Sequence, residues 1–193
     1  MQGVLDLVWE HLLPAMREDV LPETEDTEAL QDRLVSLARP LRAKSSVPAN
    51  VVELNGKTFT LEENKTGLIS VSFIFSDDGC TMKLEDQFGM HKVEIGNGVW
   101  KENHGRMAFM KATMLNLWIG APPMQDYRFS VAGAWVDGVF SATMHYLETP
   151  HREYLTAEFK EDALILKIHS SMIDPDDPQT AHIETKFTGK LKE

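Results

Sequence analysis

The sequence predicts a mainly β protein, an antiparallel up-and-down barrel preceded by two helices, with a β-sandwich as the alternative. Three observations lead there. From Val51 onward apolar and polar residues alternate with period two, the spacing of a strand with one buried face. Short turn-forming clusters, among them Asp77-Asp78-Gly79 and Phe88-Gly89, cut that pattern into strand-length pieces. Helical spacing marks the residues before Pro40, and recurs after them only at Met107, Met110, Met114, Leu117 and Trp118, where β-branched and aromatic residues and flanking strands favour a strand.

In chain order, Leu5, Val8, Trp9, Leu12, Leu13 and Met16 share one face of a helix over 4–16. Pro14 lacks a backbone donor and should kink or end that helix early. A second helix is expected from Thr27 to Arg39, with Leu30, Leu34, Leu37 and Leu41 as its apolar stripe and Pro40 as its stop. Acidic residues at Glu23, Glu25, Asp26 and Glu28 suit its positive end, and Arg33, Arg39 and Arg42 its negative end. The segment Arg42–Asn50 reads as a linker, so residues 1–48 form a helical segment and linker, and 49–193 the β domain. A tight Asn55-Gly56 turn opens the β domain. Strands are then expected at 57–62, 68–76, 80–86, 90–95, 107–119, 127–136, 139–147, 152–160, 163–169 and 181–190. Ten strands joined by short polar turns favour a closed, lipocalin-like meander, because closure removes exposed edges.

Composition removes several function classes. The chain has 193 residues, of which 19 are basic and 30 acidic, for a net charge of −11. A nucleic-acid backbone would be repelled, because the basic residues are scattered. No apolar run approaches the roughly 20 residues of a membrane span, and the acidic, non-basic N-terminus does not read as a signal peptide, which favours the cytoplasm. The lone Cys80 can form no internal disulfide, and its place just after a turn reads as an inert, buried strand residue.

Lys65-Thr66-Gly67 raises the question of chemistry, since such a triplet walls the active site of penicillin-recognising serine hydrolases. Its partners are missing. No serine has a lysine three residues later, and none of Tyr127, Tyr146 and Tyr154 has an asparagine two residues later. The triplet therefore reads as a polar turn, with Gly67 supplying backbone freedom before a strand. The histidines show no zinc-protease spacing, and no phosphate loop, nucleophile elbow or cofactor motif appears. Trp100, Trp118, Trp135 and Tyr146 either fill the barrel core or line a small-molecule pocket. Met107, Met110 and Met114 similarly read as flexible core or as an adaptable contact surface.

Several strings carry a resemblance: GVLDLVWEHLLPAM at 3–16, ELNGKTFTLEEN at 53–64, SVSFIFSDDG at 70–79, and AGAWVDGVFSATMHYLETPHREYLTAEFKEDALILKI at 132–168. With Tyr146-Leu147-Glu148-Thr149-Pro150 following Ala134-Trp135, the chain resembles the region behind the catalytic domain in bacterial β-lactamase-related, penicillin-binding-protein-like (class C type) serine hydrolases. The resemblance implies a non-catalytic, often lipocalin-like accessory domain, which packs against or regulates access to a catalytic domain absent here. None of that family's catalytic residues has a counterpart to carry over. The helix face of Leu5, Val8, Trp9, Leu12 and Met16 would then meet a serine-hydrolase domain in cis, or a second copy in a homodimer. From the barrel alone, the other reading is a free-standing carrier of a small apolar ligand.

Overall fold

A computed structural model describes residues 2–19, 25–36, 41–110, 126–171 and 185–192. The chain divides into two units, Met1–Pro40 and Leu41–Glu193.

In the first unit, helix α1 (Gln2–Leu7) runs into a π-helical turn at Val8–Leu12 and a short α2 (Leu13–Ala15). The Leu13 amide donates to the Val8 carbonyl, five residues back. Pro14 has no amide to offer Glu10, so the helix widens one turn ahead of it and stops one residue after. Helix α3 spans Glu25–Ser36, and the predicted extension to Arg39 lies outside the described residues. Leu5, Trp9, Leu12 and Met16 are all exposed, Trp9 at 70%, as are Leu30 and Leu34.

The second unit opens with a 3-10 turn at Ala49–Leu54, which buries Val51 and Leu54. Strand-like alternation therefore starts later than Val51. The Asn55-Gly56 pair forms a type II turn, with Gly56 at φ +78° and the Lys57 amide donating to the Leu54 carbonyl at 3.1 Å. It redirects the chain into the sheet and joins no hairpin.

Ten strands follow: β1 (Thr58–Leu61), β2 (Leu68–Ser76), β3 (Gly79–Asp86), β4 (Gly89–Asn97), β5 (Lys101–Gly105), β6 (Tyr127–Val136), β7 (Val139–Tyr146), β8 (Arg152–Lys160), β9 (Ala163–Ser170) and β10 (Thr185–Leu191). They hydrogen-bond in the order β4-β3-β2-β1-β10-β9-β8-β7-β6-β5. β2–β3, β3–β4, β6–β7 and β8–β9 are joined by two-residue loops, as the pairs Ser76 with Gly79 and Val136 with Val139 illustrate. β2, β6 and β8 occupy their predicted spans. β5 was not predicted at all, and the strand predicted at 107–119 is not one where it can be seen. Residues 107–110 make a turn, closed by the Met110 amide on the Met107 carbonyl at 3.0 Å, and 111–119 lie outside the described residues. The final strand starts at Thr185, residues 181–184 also lying outside.

The barrel closes where β4 meets β6. Gly96 and Asn97 pair in parallel with Ala132 and Gly133. Beside this seam the Asn103 side chain replaces a missing ladder rung, accepting from the Glu94 amide at 2.7 Å and donating to the Glu94 carbonyl at 2.9 Å. Asn97 is buried and anchors the incoming chain, donating to the Ser45 and Asp77 carbonyls and accepting from the Ser45 amide. Ser45 Oγ then accepts from the Trp135 amide at 2.7 Å. Gly96 is required by proximity, because a Cβ there would overlap the Val99 carbonyl oxygen.

Inside, the two ends differ. At the end that carries the β2–β3, β6–β7 and β8–β9 turns, Phe59, Phe73, Phe75, Trp135, Phe140 and Phe159 form a continuous ring cluster, with Phe75 lying 5.0 Å from both Trp135 and Phe140. Edge-to-face contacts of this kind add to the burial of large apolar area. The middle is filled by Met82, Leu84, Ile95, Leu164, Leu166 and Phe187, all under 2% exposed.

Gly96→Ala is expected to lower stability by about 3 kcal/mol, since backbone rather than a side chain must yield. Alanine at Gly138, a turn residue with φ +79° and open space around it, should cost only about 1 kcal/mol. Urea unfolding midpoints of the two variants test that order.

Candidate functional site

The end opposite the aromatic cluster holds polar groups that point inward. Along β8 the inward positions are Glu153, Leu155, Ala157 and Phe159, so one strand carries a carboxylate on its core face. Glu153 is 4% exposed. It pairs across the sheet with Met144 and sits diagonal to Tyr146, whose ring is also buried. Tyr127 packs edge-on against Tyr146 at 5.4 Å, and Phe129 lies at 6.5 Å. The Tyr146 hydroxyl is enclosed, with Glu153 as its charged neighbour. Burial first, then the Glu153 carboxylate and Tyr127, push the Tyr146 phenol well above its ordinary range.

Next to these groups a small cavity lies among Met82, Phe109, Ala142, Met144, Glu153 and Leu155. Its volume is about 10 Å³, room for about one water. Apart from Glu153 its wall is apolar, and two of the side chains are methionines, which repack at low cost. A second void of about 10 Å³ lies at the aromatic end, bounded by Trp135, Phe75, Asn97 and Cys80. Burial pushes the Cys80 thiol far up, so it is held as an inert thiol.

The rim of the carboxylate end is organised by Asp86. Its enclosed carboxylate accepts from the Phe88 amide, the Ala108 amide and His91 Nε2, each at 2.7 Å. That set ties the turn at 107–110 to the β3–β4 hairpin and brings the buried Met107, Phe109 and Met110 over the core. With its acceptor sites taken up by backbone and His91, Asp86 is a structural clamp.

The predicted site residues separate widely. Tyr146 faces the interior beside Glu153. Trp135 is part of the aromatic plug at the other end. Trp100 packs edge-on against His145 at 4.9 Å, and His145 belongs to the outward set of β7, so this indole covers the outside of the sheet. Trp118 lies outside the described residues. Glu153 went unsingled in the sequence, although the alternation Glu153, Leu155, Ala157, Phe159 marks it as the charged member of an inward set. Lys65-Thr66-Gly67 forms the β1–β2 turn: the Asn64 side chain donates to the Glu62 and Leu68 carbonyls and accepts from Thr66 and the Leu68 amide, while Gly67 takes φ +74°. Among the described residues no group of three or more histidine, cysteine or acidic side chains is placed to hold a metal ion.

No protein-family model matches the chain, and no functionally described protein is similar to it in sequence. Among solved structures, the chain is similar to the fatty-acid-binding protein of Manduca sexta, at 13% identity, covering 71% of this chain and 98% of that one with a TM-score of 0.47. A fatty-acid-binding protein from brain tissue of Drosophila melanogaster gives 10% identity, 71% and 98% coverage and a TM-score of 0.47. A fatty acid transporter titled REP1-NXSQ gives 10% identity, 73% and 97% coverage and a TM-score of 0.47. A likeness of that size identifies neither a family nor a ligand.

The folded chain holds the Tyr146 proton more tightly than the unfolded chain does. That contribution to stability is complete below about pH 10 and is lost as pH rises toward the elevated folded value. Tyr146→Phe should therefore lose less stability than the parent on passing from neutral pH to about pH 11. Urea titrations at both pH values decide; a variant that loses stability in parallel with the parent would contradict the assignment.

Proposed function

We propose that the barrel is a binding module for a small, predominantly apolar ligand, held in the half of its interior that Glu153 and Tyr146 border. One observation carries this reading: a buried carboxylate and a buried phenol meet beside a cavity in an otherwise apolar wall. Burying such groups costs a few kcal/mol that leucine or phenylalanine would not incur. A few convergent polar groups in an apolar hollow are the pattern of a small-molecule site. The cavity is small, so a ligand beyond the size of water must displace side chains, and Met82 and Met144 supply the compliance.

The test uses the whole chain, labelled with 13C at its methionine methyls and titrated with n-octanol. The expected result is saturable shifts at Met82 and Met144, with none at Met90, which is 67% exposed on β4. Shifts confined to Met90, or none at all, would overturn the reading.

A second reading is favoured by the first helical unit, whose Leu5, Trp9, Leu12 and Met16 are exposed together. In it the barrel is an accessory module, and this face packs on a catalytic serine-hydrolase domain of the same polypeptide. It predicts a Ser-x-x-Lys-bearing domain upstream in the same reading frame. A frame with an unrelated upstream domain would remove it.

A further inference from the structure

The turn at 107–110 is the part of the cavity wall best placed to move, and its role rests on the ligand-binding reading above. β5 ends at Gly105, so residues 106–110 belong to no strand and their displacement breaks no ladder bond. At the foot of the segment Gly105 takes φ +151°, a backbone state that glycine alone adopts freely. Met107, Ala108, Phe109 and Met110 are nevertheless buried, Met110 completely. Phe109 bounds the cavity together with Met82, Ala142, Met144 and Leu155. Among the described residues two directional contacts fasten the segment to the β3–β4 hairpin. The Ala108 amide donates to Asp86 Oδ2 at 2.7 Å, and the Arg106 guanidinium lies over the Phe88 ring at 4.9 Å. Arg106 also stands 3.9 Å from Asp126, a loose pair of exposed side chains.

We infer that residues 106–110 form a displaceable plug, which fills the ligand's place and is pushed out on binding, with Asp86 as its latch. The reason is volume. A cavity of about 10 Å³ has no room for an alkyl chain. Turning Met82 and Met144 reshapes the wall, whereas withdrawing Phe109 adds the space of a benzyl group. Withdrawal exposes Met107, Phe109 and Met110, which opposes it, and an incoming chain covers the wall they leave. Opening and binding are therefore coupled, and the Asp86 bond sets how often the unaided segment lets go. Asp86 divides its acceptors: Oδ1 takes the Phe88 amide and His91, and Oδ2 takes Ala108. Asp86→Asn can keep the Oδ1 pair while it sets an NH2 group against the Ala108 amide, so it releases the latch and spares the hairpin.

The test titrates n-octanol into the methionine-labelled parent and into Asp86→Asn, with Gly138→Ala at the opposite end as the control for a general loss of stability. In the parent the Met107 and Met110 methyls should move toward the position of the exposed Met90, in step with the shifts at Met82 and Met144. Asp86→Asn should bind n-octanol at least about tenfold tighter, because a charge-assisted hydrogen bond no longer holds the plug in place. Gly138→Ala should bind as the parent does. Saturable shifts at Met82 and Met144 with Met107 and Met110 unmoved overturn the plug and leave the ligand-binding reading standing. So does an affinity that is equal in the parent and Asp86→Asn, or raised as much by Gly138→Ala. Interior methyls silent in the parent sink both. If Asp86→Asn does not fold, amide hydrogen exchange of the parent decides. Saturation with n-octanol should speed exchange at Ala108 and leave Leu84, in the middle of β3, no faster. An Ala108 amide whose exchange is unchanged or slowed overturns the inference.

Discussion

The fold depends on closing a ten-stranded sheet at the point where its two ends are worst matched. β4 and β5 are consecutive in sequence, yet they lie at opposite ends of the hydrogen-bonding order, and the closure runs through two parallel residue pairs between β4 and β6. Two pairs are few to hold a barrel, and the neighbouring side chains supply the rest. Asn103 stands in for a strand by meeting both backbone groups of Glu94. Asn97 satisfies backbone groups of two other segments. Buried backbone left unpaired would cost more than these amides lose in freedom. Without that seam the inward alternation of every strand would face solvent along a gap.

Closure turns the interior into two compartments of different chemistry. Six aromatic rings lock one end, where Phe159 meets Phe59, Phe73 and Phe75 edge-on at 62° to 83° and Phe73 stacks on Phe75. Toward the other end the filling changes to methionine, alanine and leucine around a carboxylate and a phenol. The first arrangement favours rigidity, since aromatic side chains have few torsions to rearrange. The second favours adaptability. A site that must admit something belongs in the second.

Much of the fold was legible because antiparallel strands with one buried face announce themselves by period two. β2, β6 and β8 appear with their expected bounds, and the two-residue loops fall on Asp77-Asp78, Asp137-Gly138 and their like. β5 was hidden because Lys101-Glu102-Asn103-His104-Gly105 has no apolar alternation; it lies on the edge of the order and none of its residues is fully buried. The opposite error arose at Met107–Met110, where apolar residues are buried by a turn that the Asp86 side chain pins. The aromatic residues could not be sorted by type alone, since residue type does not tell which face of a strand a ring is on. Parity does, and it puts Trp135 and Tyr146 on the inward sets of β6 and β7, whereas Trp100 precedes β5 and has no strand parity. The same parity would have isolated Glu153. The strings GVLDLVWEHLLPAM and SVSFIFSDDG fall on the first helix and on β2 with its hairpin loop, positions that describe an architecture and name no reactant.

The amide joint at the seam also sets rules for drift in the sequence. Asparagine offers one donor and one acceptor at the reach that Glu94 requires. Aspartate would set oxygen against a carbonyl, and leucine would leave both backbone groups bare. Distant cousins of this chain can therefore exchange most inward hydrophobes for one another, yet the spaced triplet Gly96-Asn97 and Asn103 has little room to change.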